Sequence, residues 1–207
     1  MDGDLSVEGL SVARGGRRLL SGVSLAVTRG TALSLHGRNG LGKTSLLRVL
    51  AGLLDPAEGR LIHDPEKTAY AGHGDAIKAS LTVAEMLGFW ADLYGAASIE
   101  PALLAFDLDA IAGRRGEALS AGQRRRCALA RLALVNRPIW LLDEPTAALD
   151  QAGQAELCAL LSGHLNAGGS ALLVTHGAPP IDCPRLDLEA FRATPGEEAG
   201  AFAEALE

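Results

Sequence analysis

The sequence predicts an α/β fold built on a largely parallel sheet, with a helical insertion. Short apolar runs alternate with longer stretches of helical spacing, the order that βα units impose. One run, Ala32–Leu33–Ser34–Leu35–His36, leads into a glycine-rich turn and then a helical stretch. From about Val83 to Ala118 the chain leans to helix and carries no strand signal, so it reads as a helical piece inserted between two parts of the sheet.

In chain order, the strand at 32–36 is followed by a helix expected over 44–54, stopped by Asp55–Pro56. The inserted helical subdomain is expected over about 83–136. Ile139–Trp140–Leu141–Leu142 and Ala171–Leu172–Leu173–Val174 are short and wholly apolar, as parallel strands covered on both faces are. Between them Leu157, Leu160, Leu161 and Leu165 recur at helical spacing, and Gly168–Gly169 ends that helix. After Pro179–Pro180 the pattern weakens. The acidic, Ala-rich stretch 194–207 is expected to be a mobile tail of a chain that otherwise forms one domain over 1–207.

With 207 residues, 48% of them apolar and only 4% aromatic, the chain can bury one sizeable core made mostly of Leu, Ala and Val. Its net charge of −6 argues against a surface that wraps nucleic acid. No apolar run approaches the roughly 18 residues of a membrane span. Asp2 and Asp4 replace the basic start of a signal peptide, so the chain is expected to stay in the cytoplasm. Cys127, Cys158 and Cys183 are odd in number, lack metal spacing, and read as reduced side chains. His63 and His164 read as surface or half-buried residues.

The chemistry begins at Gly37–Arg38–Asn39–Gly40–Leu41–Gly42–Lys43–Thr44, a full match to G-x-x-x-x-G-K-[ST], with Ser45 next in the helix. Glycines let consecutive N–H groups point inward at phosphate oxygens, and the helix that follows adds its N-terminal partial charge. Lys43 is placed for the β- and γ-phosphates and the Thr44 hydroxyl for Mg²⁺. ATP and Mg²⁺ are thus the expected ligands. Asp143–Glu144 ends an apolar strand, which places Asp143 for Mg²⁺ and Glu144 to orient and deprotonate water. His176 ends the next run, close enough for the γ-phosphate or Glu144.

Leu119–Ser120–Ala121–Gly122–Gln123 opens a helix expected to run to about residue 136. Ser120 is a natural N-cap, and the open N–H groups offer a second phosphate site. A spare site makes sense if it closes over ATP held by another copy. The order of loop, LSAGQ, LLDEP, Ala148–Leu149–Asp150 and His176 resembles the ABC ATPases over about residues 5–178. The resemblance implies a P-loop NTPase sheet core with a helical ABC-type insertion, and a head-to-tail dimer clamping two ATPs. It implies that Ser120, Gly122 and Gln123 touch the γ-phosphate in trans, that Asp150 links the two sites, that Glu144 is the base and that His176 is the switch histidine. Ala121 stands where the family usually has glycine.

The resemblance also implies integral membrane permease partners, with the chain peripheral on the cytoplasmic face of the bacterial inner membrane. The family's adenine-stacking aromatic is missing from Val12–Arg18, where Arg14 offers a guanidinium plane instead. The lid position that normally holds Gln carries His73. A Gly72–His73 lid, Ile77–Lys78, Leu81–Thr82 and LSAGQ followed by three arginines are similar to the ATPases of haem exporters serving c-type cytochrome maturation. That subgroup commonly has Gln where this chain has Gly74. The alternative is the ATPase of a different exporter or importer. A soluble ATPase acting on ribosomes or DNA would need a second ATPase unit or basic patches, and a regulatory module would not need Glu144 and His176.

Overall fold

The computed structural model of the protein describes residues 5–194. The tail expected from 194 onward lies, beyond Thr194 itself, outside the described residues. Strands β1 (Leu5–Arg14) and β2 (Arg17–Val27) form an antiparallel hairpin joined by Gly15–Gly16 at φ 55° and 69°. Two residues at positive φ turn a hairpin without splaying its right-twisted strands, which is a glycine task. β3 (Ala32–His36) leads to the glycine-rich turn and helix α1 (Lys43–Leu50). β4 (Glu58–Leu61) then returns to pair antiparallel with β1, completing a three-stranded sheet ordered β2-β1-β4.

β5 (Thr68–Ala71) starts the larger sheet's edge. Between it and β6 (Ile139–Asp143) lie α2 (Val83–Tyr94), α3 (Glu100–Ala105) and α4 (Ala121–Ala130). After α5 (Gln151–Asn166) come β7 (Ser170–Val174) and the short β8 (Arg185–Asp187). The five strands run in the order β5-β6-β7-β3-β8, every neighbouring pair parallel.

Every residue of β6 and of β7 is buried, because helices cover one face and the antiparallel sheet with α1 covers the other. Successive side chains choose opposite sides. Ile139 and Leu141 join a core with Leu46, Leu47, Leu50, Leu10 and Val23, whereas Trp140 and Leu142 join one with Leu87, Phe106, Leu129 and Leu157. Each sheet side thus buries its own core.

The 44–54 helix, the end of α4 and His63 need correction, whereas His164 and the cysteines are as expected. The helix expected over 44–54 ends at Leu50, in a left-handed Gly52 at φ 69°. Leu53 N–H donates to Arg48 O at 2.8 Å and Gly52 N–H to Val49 O at 3.0 Å, the paired bonds of a Schellman stop. Glycine ended the helix before the proline could, and Leu53 is left 60% exposed. α4 gives way after Ala130 to a tight 3₁₀ stretch, Arg131–Leu134. His63 is buried, its Nε2 2.9 Å from Leu50 O and its Nδ1 3.3 Å from Ser6 O. His164 is half-buried and stacks on Trp140 at 3.8 Å. All three cysteines are free, and burial pushes the Cys127 thiol up to about 11, the mark of an inert core thiol.

Candidate active site

Three functional segments leave the parallel sheet at the same edge. Asp143 pairs with Val174 across β6 and β7, and Leu35 pairs with Val174 from the other side. Glu144, His176 and the turn after His36 are therefore neighbours in space although far apart in the chain. This is the carboxyl edge, where open α/β sheets bind ligands.

The glycine turn needs its glycines. Gly37 and Gly42 hold φ 144° and 111°, and a Cβ on Gly37 would stand 2.5 Å from Leu41 Cδ2. Gly42 is the N-cap of α1 and no side chain caps the helix, so its first N–H groups are left for an anion. Lys43 is only 7% exposed, and its ammonium donates to the carbonyls of Gly37 at 2.5 Å and Arg38 at 3.0 Å. The Thr44 hydroxyl donates to Asp143 Oδ2 at 2.8 Å, and Asp143 is 1% exposed.

Glu144 Oε1 is buried and makes no hydrogen bond. His176 Nε2 stands 3.2 Å away without forming a hydrogen bond. These groups face one cavity of about 570 Å³, together with Asn39, Gly40, Gly42, Ser45 and His73. Arg14 and Leu19 line it as well. Gly37, Arg38 and Leu41 build the loop rather than its lining: Gly37 offers its carbonyl inward, the Arg38 side chain pairs with Glu189 at 3.5 Å, and Leu41 is buried.

Thr44 and Asp143 are the hard oxygen donors that suit Mg²⁺. Among the described residues no cluster of three or more His, Cys, Asp or Glu side chains could hold a metal by itself. A divalent ion at these two residues would therefore share its coordination with phosphate oxygens, as Mg²⁺ commonly does.

The signature residues lie apart from this cavity. Ser120 Oγ accepts from Gln123 N–H at 3.2 Å and Gln123 Oε1 accepts from Ser120 N–H at 3.0 Å, a closed capping box at the start of α4. Gly122 sits beside Ala148, where a Cβ would come within 3.3 Å of the Ala148 carbonyl. Asp150 caps α5 through Gly153 N–H at 2.9 Å and binds Arg126 at 2.6 Å. The Gly153 bond, with the Arg126 guanidinium behind it, holds the Asp150 carboxyl below its ordinary value.

Arg125 and Leu19 were not singled out by sequence. Leu19 sits on a strand with no motif. Arg125 is the middle of three arginines, but it shares the buried helical phase of Leu129 and Leu132, and that spacing was a usable signal.

The family described as ABC transporter matches residues 20–147. The chain is 48% identical to the cytochrome c biogenesis ATP-binding export protein CcmA of Roseobacter denitrificans, over 98% of each chain. It is equally identical to CcmA of Rhodobacter capsulatus, over 95% of this chain and 92% of that one. Among solved structures, an ABC transporter ATP-binding protein from Pyrococcus furiosus superposes with a TM-score of 0.81 at 25% identity, over 92% of this chain and 100% of that one. An ABC transporter ATP-binding subunit superposes at 0.76 and 25% identity, over 83% and 79%.

Proposed function

This chain belongs to the ABC transporter family, and we propose that it is the ATP-hydrolysing subunit of an export complex for cytochrome c biogenesis, with haem as its cargo. The observation that carries hydrolysis is the meeting of Lys43, Thr44, Asp143, Glu144 and His176 on one cavity. The export setting is supported by similarity over nearly the whole chain to proteins named for it.

The turn's N–H groups and the start of α1 bind the phosphate chain, and Lys43 exchanges its two carbonyl acceptors for β- and γ-oxygens. Thr44 and Asp143 would hold Mg²⁺, which when bound neutralises charge on those oxygens. Glu144 Oε1, left without a hydrogen bond, accepts a proton from the attacking water. His176, beside it, orients that carboxylate and the γ-phosphate. Arg14 and Leu19 form the end of the cavity that receives the adenine, the first by guanidinium stacking and the second by apolar contact.

Ser120, Gly122 and Gln123 do not line this chain's own cavity, which supports a role toward nucleotide on a second copy, in a head-to-tail dimer. Asp150, bound to Arg126 beside that surface, sits where it can report one site's state to the other.

The membrane permease docks at a groove of about 380 Å³ lined by Leu53, Trp90, Leu93 and Arg131, with Phe89 exposed on the same helix. No helix of the described residues is long and apolar enough to cross a membrane. Similarity to ATP-binding export proteins supports a peripheral place on the cytoplasmic face of the inner membrane. Affinity purification of tagged protein from detergent-solubilised membranes tests this setting. Recovery of multi-span cytochrome c maturation subunits is expected; an unrelated permease would overturn the haem assignment.

A further inference from the structure

Arg125, on α4, is 3% exposed, and a buried guanidinium must find acceptors for its fork of donors. Its buried Nε has no hydrogen-bond partner, but Nη1 and Nη2 find acceptors on two sides. Nη1 donates to Gly72 O at 3.0 Å and Asp75 Oδ1 at 3.3 Å, with His73 O at 3.5 Å. Nη2 donates to Glu144 O at 2.7 Å and Asp143 O at 3.3 Å. One side chain thus grips the lid that carries His73 and the strand end that carries Glu144. Both segments line the nucleotide cavity, and Arg125 does not.

What it grips is unusual backbone. Glu144 has φ 52°, a left-handed conformation that a non-glycine residue keeps only where its surroundings over-determine it. Its N–H donates to Val174 O at 2.9 Å, and its carbonyl accepts from Ala147 N–H at 3.1 Å and from Arg125. The guanidinium is the single charged donor among these three. The geometry points to Arg125 as a positioning residue for ATP hydrolysis: it holds the Glu144 peptide in its left-handed conformation and ties the His73 lid to it. The aim of the carboxylate and the place of the lid are then set together, from the helix that carries the signature. Its catalytic meaning rests on the hydrolase proposed above.

Lysine cannot substitute, because a single ammonium on a flexible stem cannot bridge both sides as a planar fork does. The test is steady-state ATP hydrolysis and nucleotide binding by the full chain as wild type, Arg125→Lys and Asp75→Ala. For Arg125→Lys, kcat is expected to fall about 10- to 100-fold, the scale of a misplaced catalytic group, with KM and nucleotide affinity within about 2-fold. Asp75→Ala removes one anchor on the lid side and should lower kcat less, again without moving KM. It carries the test if the lysine variant does not fold.

Wild-type kcat in either variant overturns the clamp. So does a rise in KM that matches the loss of kcat, because that is damage to binding. A wild-type chain without turnover overturns the hydrolase and the clamp with it. A wild type that turns over beside an unaffected Arg125→Lys overturns the clamp alone.

Discussion

The phosphate-loop cavity and the signature surface are both helix N-termini, yet one is concave and the other closed on itself. At α1 no side chain caps the helix, Lys43 is buried against loop carbonyls, and Glu144 Oε1 has no hydrogen bond. The helix start and Lys43 suit phosphate, and the Glu144 carboxylate suits a water beside it. At α4 Ser120 and Gln123 satisfy each other, and neither lines the loop cavity. The difference fits the function proposed above: the loop cavity draws all its lining from one chain, whereas the signature, absent from that lining, is proposed to serve nucleotide on a second copy.

The sharpest division between the two regions comes from Glu144→Gln. Removing the base at an otherwise intact cavity should lower turnover about 10²- to 10⁴-fold while ATP binding persists. Phosphate release beside a nucleotide-binding titration measures both, and wild-type turnover would remove Glu144 as the base. ATP should also drive this variant into stable dimers, visible by size-exclusion chromatography.

Next in size is a pair of variants, one from each region. Lys43→Ala should abolish ATP binding by an isolated chain, whereas Ser120→Arg should leave that binding intact and lose turnover. Mixing the two should restore part of the activity, because a head-to-tail dimer then holds one intact loop facing one intact signature. If the mixture stays as inactive as its parts, the two regions do not meet in trans.

A smaller effect is expected at the base end of the cavity. Arg14→Ala should weaken ATP binding about 2- to 5-fold, the scale of one exposed cation–π or stacking contact. An unchanged affinity, read by isothermal titration, would leave Leu19 and the phosphates as the whole of nucleotide recognition.

The smallest effect lies away from both regions, at the His164–Trp140 stack. Burial, the largest cause, lowers the His164 pKa below 6.5, partly offset by hydrogen bonds to the Ser170 and Pro138 backbone. The unfolded chain then takes up the proton first as pH falls. Stability from neutral His164 is thus present above about pH 6.5 and lost as pH drops through the lower folded value. Melting temperature should fall from about pH 7.5 to about pH 5.5, and by less in His164→Phe, which keeps a stacking ring without the proton. Equal slopes in the two proteins would show that other groups set the acid response.

Much of the cavity was legible because its chemistry is contiguous. Gly37–Thr44 and Ile139–Glu144 each carry strand, turn and reactive groups within a few residues. The helix ends were legible when the terminal glycine was noticed, as at Gly168, and misread when it was not, as at Gly52. The β2-β1-β4 sheet went unread because β1 shifts register three times along β2, which breaks strict alternation, although Gly15–Gly16 marked the hairpin. β8 was missed because three residues after a proline-rich stretch carry no periodicity of their own.

By itself the sequence determined the phosphate loop, the strand-end acids and the Ser120 N-cap of α4. Each is a local matter of backbone freedom, hydrogen-bond donors and short spacing. Only the tertiary structure decided that β7 lies between β6 and β3, which turns the expected nearness of His176 to Glu144 into a 3.2 Å approach. It alone decided that the second of three identical arginines turns inward to grip the lid and the catalytic strand end. Sheet order and the reach of a long side chain depend on segments tens of residues apart, whose pairing is set by burial across the whole core.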